Sequence, residues 1–329
     1  MHSISEETRA LCPECAQECP AWYTAGPDGL HLHFECAAHG HRSEHVERDP
    51  TFFRLGYEQD YERPHSHFVL PATYRCNLRC TYCYTLSNCL SVIPQDRDID
   101  TLAKLVTDFD GNVTLIGGEP TVRNDLPELI ARCKRLRPRQ KLSIGTNGQK
   151  LRDAAYATRL REAGLDFVFL SLNDPAYEPA PAVFPNKMRA LQNCRRLGLP
   201  VWLQRTIGAL PELNSIRRVI NAYRRTVFAV TIRAVKPFGV SRPTRPIFLS
   251  DMLAHLGLRD RCEKGTMPFN RFALLDGKRV KFTSWVNDVR RVDPLDSAYL
   301  ISDNSMTTFH RGMKTDEVLL RRRLAQAQA

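Results

Sequence analysis

From residue 68 onward the chain alternates short apolar runs with longer amphipathic stretches. The runs at 68–74, 112–116, 141–145, 167–172, 201–206 and 228–235 have the length and the β-branched or aromatic content of strands. Between them, 100–108, 125–136, 151–163, 185–197 and 213–224 read as helices by the spacing of their apolar positions. Strands and helices in alternation imply a parallel sheet with crossover helices. Six such units point to an α/β fold, an open partial (β/α)6 barrel, with ligands expected at the carboxyl ends of the strands.

The flanks follow other patterns. Residues 1–60 hold most of the histidines and two cysteine pairs but little periodic apolar sequence. A segment of that kind buries little core, and a bound metal is then the expected source of stability. A polar stretch at 60–66, containing Pro64, reads as a linker. After Pro237 the rhythm breaks; 272–275 and 279–285 flank Asp276–Gly277, a strong hairpin signal. Residues 315–329 read as a helix carrying Arg321, Arg322 and Arg323. The expected organisation is a metal-binding module at 1–60, a barrel at 61–240, and a C-terminal α+β extension at 241–329 with a hairpin and a basic helix.

Composition narrows the class. Of 329 residues, 43% are hydrophobic and 25% charged, which is ordinary for a soluble protein. No apolar run approaches the roughly 18 residues of a membrane span. The polar, acidic start is no secretory signal, so the expectation is cytoplasmic. Net charge is +11, and between Arg195 and Arg245 eleven Lys or Arg accompany a single acid, Glu212. Such a block implies an anionic partner, whether substrate, nucleic acid or a peripherally contacted membrane surface. Arg217, Arg218, Arg224 and Arg225 fall in one helix, where a solvated face is the alternative. Cys133, Cys194 and Cys262 are isolated and read as buried small hydrophobes.

The chemistry concentrates in Cys76-Asn-Leu-Arg-Cys80-Thr-Tyr-Cys83, directly after the first barrel strand. Three thiolates in a tight loop suit an iron–sulfur cluster and leave one iron of a four-iron cluster open. A zinc site, which ordinarily takes four ligands in C-x2-C pairs, fits this spacing poorly. With aromatic Tyr82 before the last cysteine, the loop resembles that of the radical S-adenosylmethionine (radical SAM) superfamily. That resemblance implies a [4Fe–4S] cluster on Cys76, Cys80 and Cys83. It also implies S-adenosylmethionine on the open iron, reductive cleavage to a 5′-deoxyadenosyl radical, hydrogen abstraction from substrate, and a reductase, flavodoxin or ferredoxin as electron donor. Gly117-Gly118-Glu119-Pro120 after the second strand is similar to the family's cofactor-contacting turn, with Glu119 expected to accept from the cofactor ammonium. Thr146-Asn147-Gly148 ends the third strand, and Ser171 and Asn173 end the fourth, where the family often binds ribose hydroxyls. Arg205 and Arg233, with Lys236, lie at the ends of the last two strands as candidate partners of a cofactor carboxylate or an anionic substrate group.

In the N-terminal segment, Cys12-Pro-Glu-Cys15 and Cys36-Ala-Ala-His39 form two knuckle-like pairs suited to zinc, or to iron in a rubredoxin-like site. Cys19 and His41 compete as ligands. Such a module ahead of CNLRCTYCY and GGEPTVRNDLPELI resembles a subgroup that includes tetraether lipid synthases and pterin methyltransferase-like proteins. Members of that subgroup generally carry further cysteine clusters after the barrel, whereas this chain has only Cys262 there. The leading expectation is a radical SAM enzyme acting on an anionic lipid, phosphorylated metabolite or RNA. The alternative is a zinc-ribbon nucleic-acid-binding protein without redox chemistry, which leaves Cys76 and Glu119 unexplained.

Overall fold

A computed structural model describes residues 7–12, 14–15, 17–50, 52, 67–83, 96–108, 111–235, 246–264, 270–284, 299–302 and 305–308. The expected linker, Lys236 and the C-terminal basic helix lie outside the described residues.

The first sheet is an antiparallel meander of β1 (Glu7–Leu11), β2 (Glu18–Gly26), β3 (Gly29–Cys36) and β4 (Gly40–Glu47), paired in chain order. Its core contains Ala10, Ala21, Tyr23, Leu30, Leu32, Phe34 and Val46 together with Cys12, Cys15, Cys19 and Cys36. The segment therefore has more core of its own than its sequence suggested. Leu30, Leu32 and Phe34 alternate with His31 and His33 across the pleat, so one face is apolar and the other polar.

Among the described residues the main sheet has eleven strands and is open. Its centre is β5 (His67–Thr73), β6 (Asn112–Gly117), β7 (Leu142–Thr146), β8 (Phe167–Ser171), β9 (Val201–Ile207) and β10 (Val227–Ala234), all parallel and in sequence order. Crossovers run through α1 (Ile99–Thr107), α2 (Leu126–Leu136), α3 (Ala154–Glu162), α4 (Val183–Arg196) and α5 (Ile216–Ala222). Each observed bound lies within a few residues of its expected one. The fifth helix differs most, because Leu210–Ser215 form a 3₁₀ turn ahead of it.

One face of this sheet, with Leu115, Ile144, Val168, Leu170, Leu203 and Ile232, packs into the core with the helices. On the other face the register aligns Thr114 with Ser143, Ser143 with Phe167, Phe169 with Trp202, Ser171 with Gln204, and Thr206 with Arg233. This face is aromatic near the strand starts, where Phe167, Phe169, Trp202 and Phe228 contact one another. It is polar at the carboxyl ends.

After the barrel come α6 (Leu249–His255), β11 (Glu263–Lys264), β12 (Asn270–Leu275), β13 (Lys278–Thr283), β14 (Tyr299–Ser302) and β15 (Ser305–Thr308). Asp276 and Gly277 turn the β12–β13 hairpin with φ of 50° and 75°, the left-handed pair that a tight two-residue turn needs. The hairpin is not a separate appendage, because β13 pairs in parallel with β10 and extends the barrel sheet. Arg217 of α5 and Arg224 in the turn after it hold the hairpin there; the helix ends at Ala222, so Arg224 and Arg225 do not share it with Arg217 and Arg218 as expected. Arg217 Nη1 donates to Asp276 Oδ1 at 2.6 Å, and Arg224 Nη2 donates to the Asp276 carbonyl at 2.5 Å. At the opposite edge β14 pairs with β5.

The N-terminal sheet is joined to the rest through Glu47, which is 2% exposed. Its Oε2 accepts from the backbone N–H of Leu249 (3.2 Å) and Ser250 (3.3 Å), and its Oε1 from the Ser250 hydroxyl. A carboxylate from β4 thus satisfies the first N–H groups of α6, which no side chain of its own caps. Burial pushes the Glu47 carboxyl above the usual range, and the Ser250 contacts oppose that. Glu47→Ala strands these buried donors and is expected to lower stability by about 1–3 kcal/mol. Denaturant unfolding measures this, and an unchanged midpoint would show that the cap contributes nothing.

Candidate functional site

The loop 74–83 leaves the carboxyl end of β5, and its base is fixed by ion pairs. Thr73 Oγ1 donates to Asp96 Oδ1 at 2.6 Å, and the Arg75 guanidinium grips the other Asp96 oxygen. Arg123, 3% exposed, donates to the carbonyls of Ala72 (3.0 Å) and Arg97 (2.9 Å) and pairs with Asp125. Asp96 and Arg123 were not singled out from sequence; nothing local marks them, since both act between segments far apart in the chain.

The Gly117-Gly118 turn is pressed against this loop. Gly118 N–H donates to Thr73 O at 3.0 Å and Glu119 N–H to Arg75 O at 2.9 Å. A Cβ on Gly117, whose φ is 138°, would lie 1.6 Å from Thr73 O, and one on Gly118 would lie 2.4 Å from Arg75 O. The glycines are therefore required by the chain's own backbone, which passes where side chains would otherwise stand.

Glu119 is 1% exposed and joins two segments, its own turn and the end of β7. Its Oε1 accepts from Thr121 N–H (3.1 Å), Thr121 Oγ1 (2.6 Å) and Thr146 Oγ1 (2.8 Å), and its Oε2 from Asn147 N–H (2.6 Å). Burial pushes its pKa up, and these four donors oppose the shift. Pro120 follows, buried, opening a 3₁₀ turn over Pro120–Val122. Asn147 then reaches the cluster loop, its Nδ2 donating to Asn77 Oδ1 at 2.8 Å and lying 3.9 Å from Cys76 Sγ. Cys76, Cys80, Cys83, Tyr82, Gly117–Pro120, Thr146 and Asn147 thus converge at one end of the sheet.

Cys76, Cys80 and Cys83 are each partly exposed. Burial pushes the Cys76 thiol up to about 12 and the Cys80 thiol to about 11. A cationic metal centre reverses that preference, because a coordinating thiol is deprotonated outright. Tyr82 stacks on Tyr177, ring centroids 4.9 Å apart, and its hydroxyl lies 3.5 Å from Glu178 Oε2. Beneath it Glu178 holds Lys187 Nζ at 2.8 Å from both oxygens and accepts from Asn173 N–H at 3.0 Å. The pair is 1% and 0% exposed. Sequence reading missed it, because a lysine on an amphipathic helix ordinarily faces water.

The remaining expected residues divide. Ser171 and Arg233 lie on the open face of the sheet, and the buried Arg233 Nε has no hydrogen-bond partner. Asn173 is fully buried; its Oδ1 accepts from Thr206 N–H at 2.9 Å, and its Nδ2 has no partner. Arg205 points the other way. On β9, buried and part-exposed positions alternate, and Arg205, 1% exposed, falls on the covered side with Leu203 and Ile207. Its Nη2 donates to Asp174 Oδ2 (3.1 Å), Glu212 O (2.7 Å) and Ser215 Oγ (2.6 Å). Its carboxylate partner is Asp174 of the same chain and not the cofactor carboxylate or anionic substrate group expected, which places Arg205 in the scaffold. Lys236 lies outside the described residues.

In the N-terminal sheet the ligand atoms of Cys12, Cys15, Cys36 and His39 all lie within 4.8 Å of one another. Cys15 Sγ–Cys36 Sγ is 3.7 Å, Cys12 Sγ–His39 Nδ1 is 3.5 Å and Cys36 Sγ–His39 Nδ1 is 3.4 Å. A tetrahedron with zinc–sulfur bonds of about 2.3 Å has sulfur–sulfur edges of about 3.8 Å, so this group could hold such an ion. His39 hydrogen bonding pulls the Cys36 thiol down to about 6, the direction that favours ligation. The competing residues go elsewhere. Cys19 Sγ donates to Gln17 O at 3.3 Å, and His41 Nε2 lies 3.1 Å from His33 Nδ1.

Residues 70–219 match the family described as the Radical SAM superfamily, and the chain carries a radical SAM domain. It is 39% identical over 123 residues to a GTP 3′,8-cyclase of Limosilactobacillus fermentum, covering 36% of each chain. It is 26% identical over 231 residues to a 7,8-dihydro-6-hydroxymethylpterin dimethyltransferase of Methanocaldococcus jannaschii, covering 59% of this chain and 45% of that one. Against an Fe-coproporphyrin III synthase of Methanosarcina barkeri it is 37% identical over 148 residues, covering 41% and 35%. The chain thus spans less than half the length of these relatives. A solved structure of methylornithine synthase superposes with a TM-score of 0.50 at 14% identity, covering 80% of this chain and 82% of that one, a likeness of fold. The family implies a [4Fe–4S] cluster and S-adenosylmethionine. Three thiols on one loop fit the first. The unpartnered buried Asn173 Nδ2 and Arg233 Nε fit polar ligand atoms above the sheet.

Replacing Cys76, Cys80 and Cys83 together by Ala is expected to remove iron, sulfide and visible iron–sulfur absorbance. Elemental analysis and spectroscopy check this; full retention would overturn the ligand assignment. Glu178→Gln leaves Lys187 buried without its counter-charge, with an expected loss of about 3–5 kcal/mol. Glu178→Gln with Lys187→Met should recover most of it. A double-mutant cycle by chemical denaturation reads the difference, and additive losses would show that the two side chains act independently.

Proposed function

We propose that this chain is a radical S-adenosylmethionine enzyme whose cluster is held by Cys76, Cys80 and Cys83 and whose substrate carries an anionic group. The observation that carries the reading is the convergence of the cysteine loop, the Glu119 turn and Asn147 at the carboxyl edge of the parallel sheet. The cluster and S-adenosylmethionine together supply one-electron cleavage of the sulfonium and a carbon radical that removes hydrogen from substrate.

The chain's residues position and enclose. Glu119 fixes the 117–120 turn and the 146–148 turn relative to each other, so that backbone groups of both face the cluster loop. In this reading Glu119 acts through the turns it holds, since its carboxylate already accepts four hydrogen bonds. Tyr82, Tyr177 and the Glu178–Lys187 pair back the loop. Asn173 and Ser171 offer amide and hydroxyl groups to cofactor hydroxyls. The wall of Phe167, Phe169 and Trp202 keeps the floor of the open face apolar, which suits a radical that would otherwise react with its surroundings.

Support for an anionic substrate comes from Arg233, half-buried at the end of β10, whose buried Nε lacks a hydrogen-bond partner. A partly desolvated cation favours a negative partner. A phosphorylated metabolite, a lipid headgroup or RNA supplies that charge. An external one-electron donor completes the scheme, and among the described residues no helix is long and apolar enough to cross a membrane. A nucleic-acid-binding zinc ribbon accounts for the N-terminal sheet alone and is not favoured.

The test is anaerobic reconstitution to about four irons and four sulfides per chain, followed by S-adenosylmethionine and dithionite. 5′-Deoxyadenosine should form, and none should form with the triple cysteine variant. Phosphorylated compounds that accelerate its formation should lose that effect in Arg233→Ala. Acceleration by neutral compounds that survives Arg233→Ala would overturn the anionic assignment while leaving the radical chemistry intact.

A further inference from the structure

The chain has ten histidines, and His31, His33, His41 and His45 lie on β3 and β4, separate from the His39 ligand position. Strand pairing sets His31 directly opposite His45. That register exists because of an irregularity between Leu30 and His31: Leu30 pairs with Glu47 and His31 with His45, so β4 carries one extra residue, Val46, at this point. A bulge re-aims the side chains around it. Here Leu30 and Val46 both enter the module core while His31 and His45 meet outside it. Their rings lie parallel, 11° apart in plane, with centroids 4.5 Å apart.

A third donor comes from the β2–β3 turn. Asp28 Oδ2 lies 3.0 Å from His31 Nε2. The turn is held against the end of β4 by Gly29, where a Cβ would meet Glu47 O at 2.3 Å and His45 Nε2 at 2.7 Å. His45 Nε2 is buried and has no hydrogen-bond partner. The ligand atoms of Asp28, His31 and His45 all lie within 4.8 Å of one another.

We propose that Asp28, His31 and His45 bind a second divalent transition-metal ion, distinct in donor chemistry from the Cys12, Cys15, Cys36 and His39 site. Two imidazole nitrogens and one carboxylate oxygen suit zinc, iron(II), cobalt(II) or nickel(II), and leave coordination positions open. Bonds of about 2.0–2.2 Å place neighbouring ligand atoms about 3.0–3.6 Å apart, so the three groups draw in on loading. Asp28 can follow, because it is 67% exposed on a turn. The ion gives the stranded His45 Nε2 its partner. It also clamps the β2–β3 turn to β4 where the N-terminal sheet meets the rest of the chain: His45 packs on Phe248, centroids 4.4 Å apart, and Phe248 directly precedes the helix that Glu47 caps. Its role is to brace that junction, independently of the cluster chemistry.

The experiment counts zinc and iron in the full chain after zinc loading and desalting. Wild type should retain two zinc ions per chain, one for each Cys/His or Asp/His group. His31→Gln and His45→Gln should retain one, with iron unchanged as the control for folding. Should His45→Gln fail to fold, Asp28→Asn decides: an exposed substitution that leaves both imidazoles in place should weaken the second zinc at least about tenfold, or about 1.4 kcal/mol. His33→Gln, which breaks the neighbouring contact to His41, should change nothing. A single zinc in wild type overturns the proposal. So does a second zinc that survives His31→Gln, His45→Gln and Asp28→Asn, or one that is lost in His33→Gln instead.

Discussion

Glu119 places a carboxylate where almost no water reaches it, and a carboxylate in that position must find donors within the protein. It finds them on two segments: Thr121 of its own turn, and Thr146 with Asn147 at the end of β7. The geometry of the candidate site follows from this one group. The 117–118 backbone is fixed against Thr73 and Arg75, which aims the cysteine loop, and Asn147 is fixed so that its amide meets Asn77 beside Cys76. Removing the carboxylate would uncouple the 119–121 turn from the end of β7, so its largest effect is on the relative position of those two segments.

The same rule governs the charges elsewhere in the barrel. Lys187 and Arg205 are each 1% exposed, and each is answered by an acid of the β8–α4 connection, Glu178 or Asp174. A single short segment after β8 therefore neutralises two buried cations, one beneath the cluster loop and one on the helix-covered face. Part of the basic block is absorbed structurally, as Arg217 and Arg224 hold the turn that attaches β13 to the barrel. What remains for a ligand on the open face is more specific than the net charge of +11 implied. Among the described residues Arg233 is on that face, its buried Nε without a hydrogen-bond partner.

The N-terminal sheet combines two stabilising principles. Its apolar face forms a small core, and its cysteines close one end with the geometry of a tetrahedral site. Neither is large alone, which is usual for a segment of this size. Glu47 and Phe52 then tie it to the barrel: Phe52 enters the main core, and its carbonyl accepts from Arg271 at 2.6 Å.

How much of this was written locally can be stated element by element. The six barrel strands and their helices were legible because burying one face of a sheet or helix imposes a period on the sequence itself. The cysteine loop was legible because its three thiols lie within eight residues, and Asp276–Gly277 because left-handed backbone selects those residue types. The N-terminal strands were not, since histidines interleave with Leu30, Leu32 and Phe34 and a bulge shifts the register in the middle of the pattern. Nor did sequence reveal that Arg205 faces the covered side, that Lys187 is buried against Glu178, or that Gly117 and Gly118 yield space to the chain's own carbonyls. Periodicity and motif are properties of neighbours in sequence, and so the sequence by itself determined the elements and the cluster loop. Which partner a buried charge meets, and which backbone passes over a glycine, depends on segments 31 to 51 residues apart, such as Arg205 with Asp174 and Arg123 with Ala72. Only the tertiary structure, by bringing those segments together, decided them.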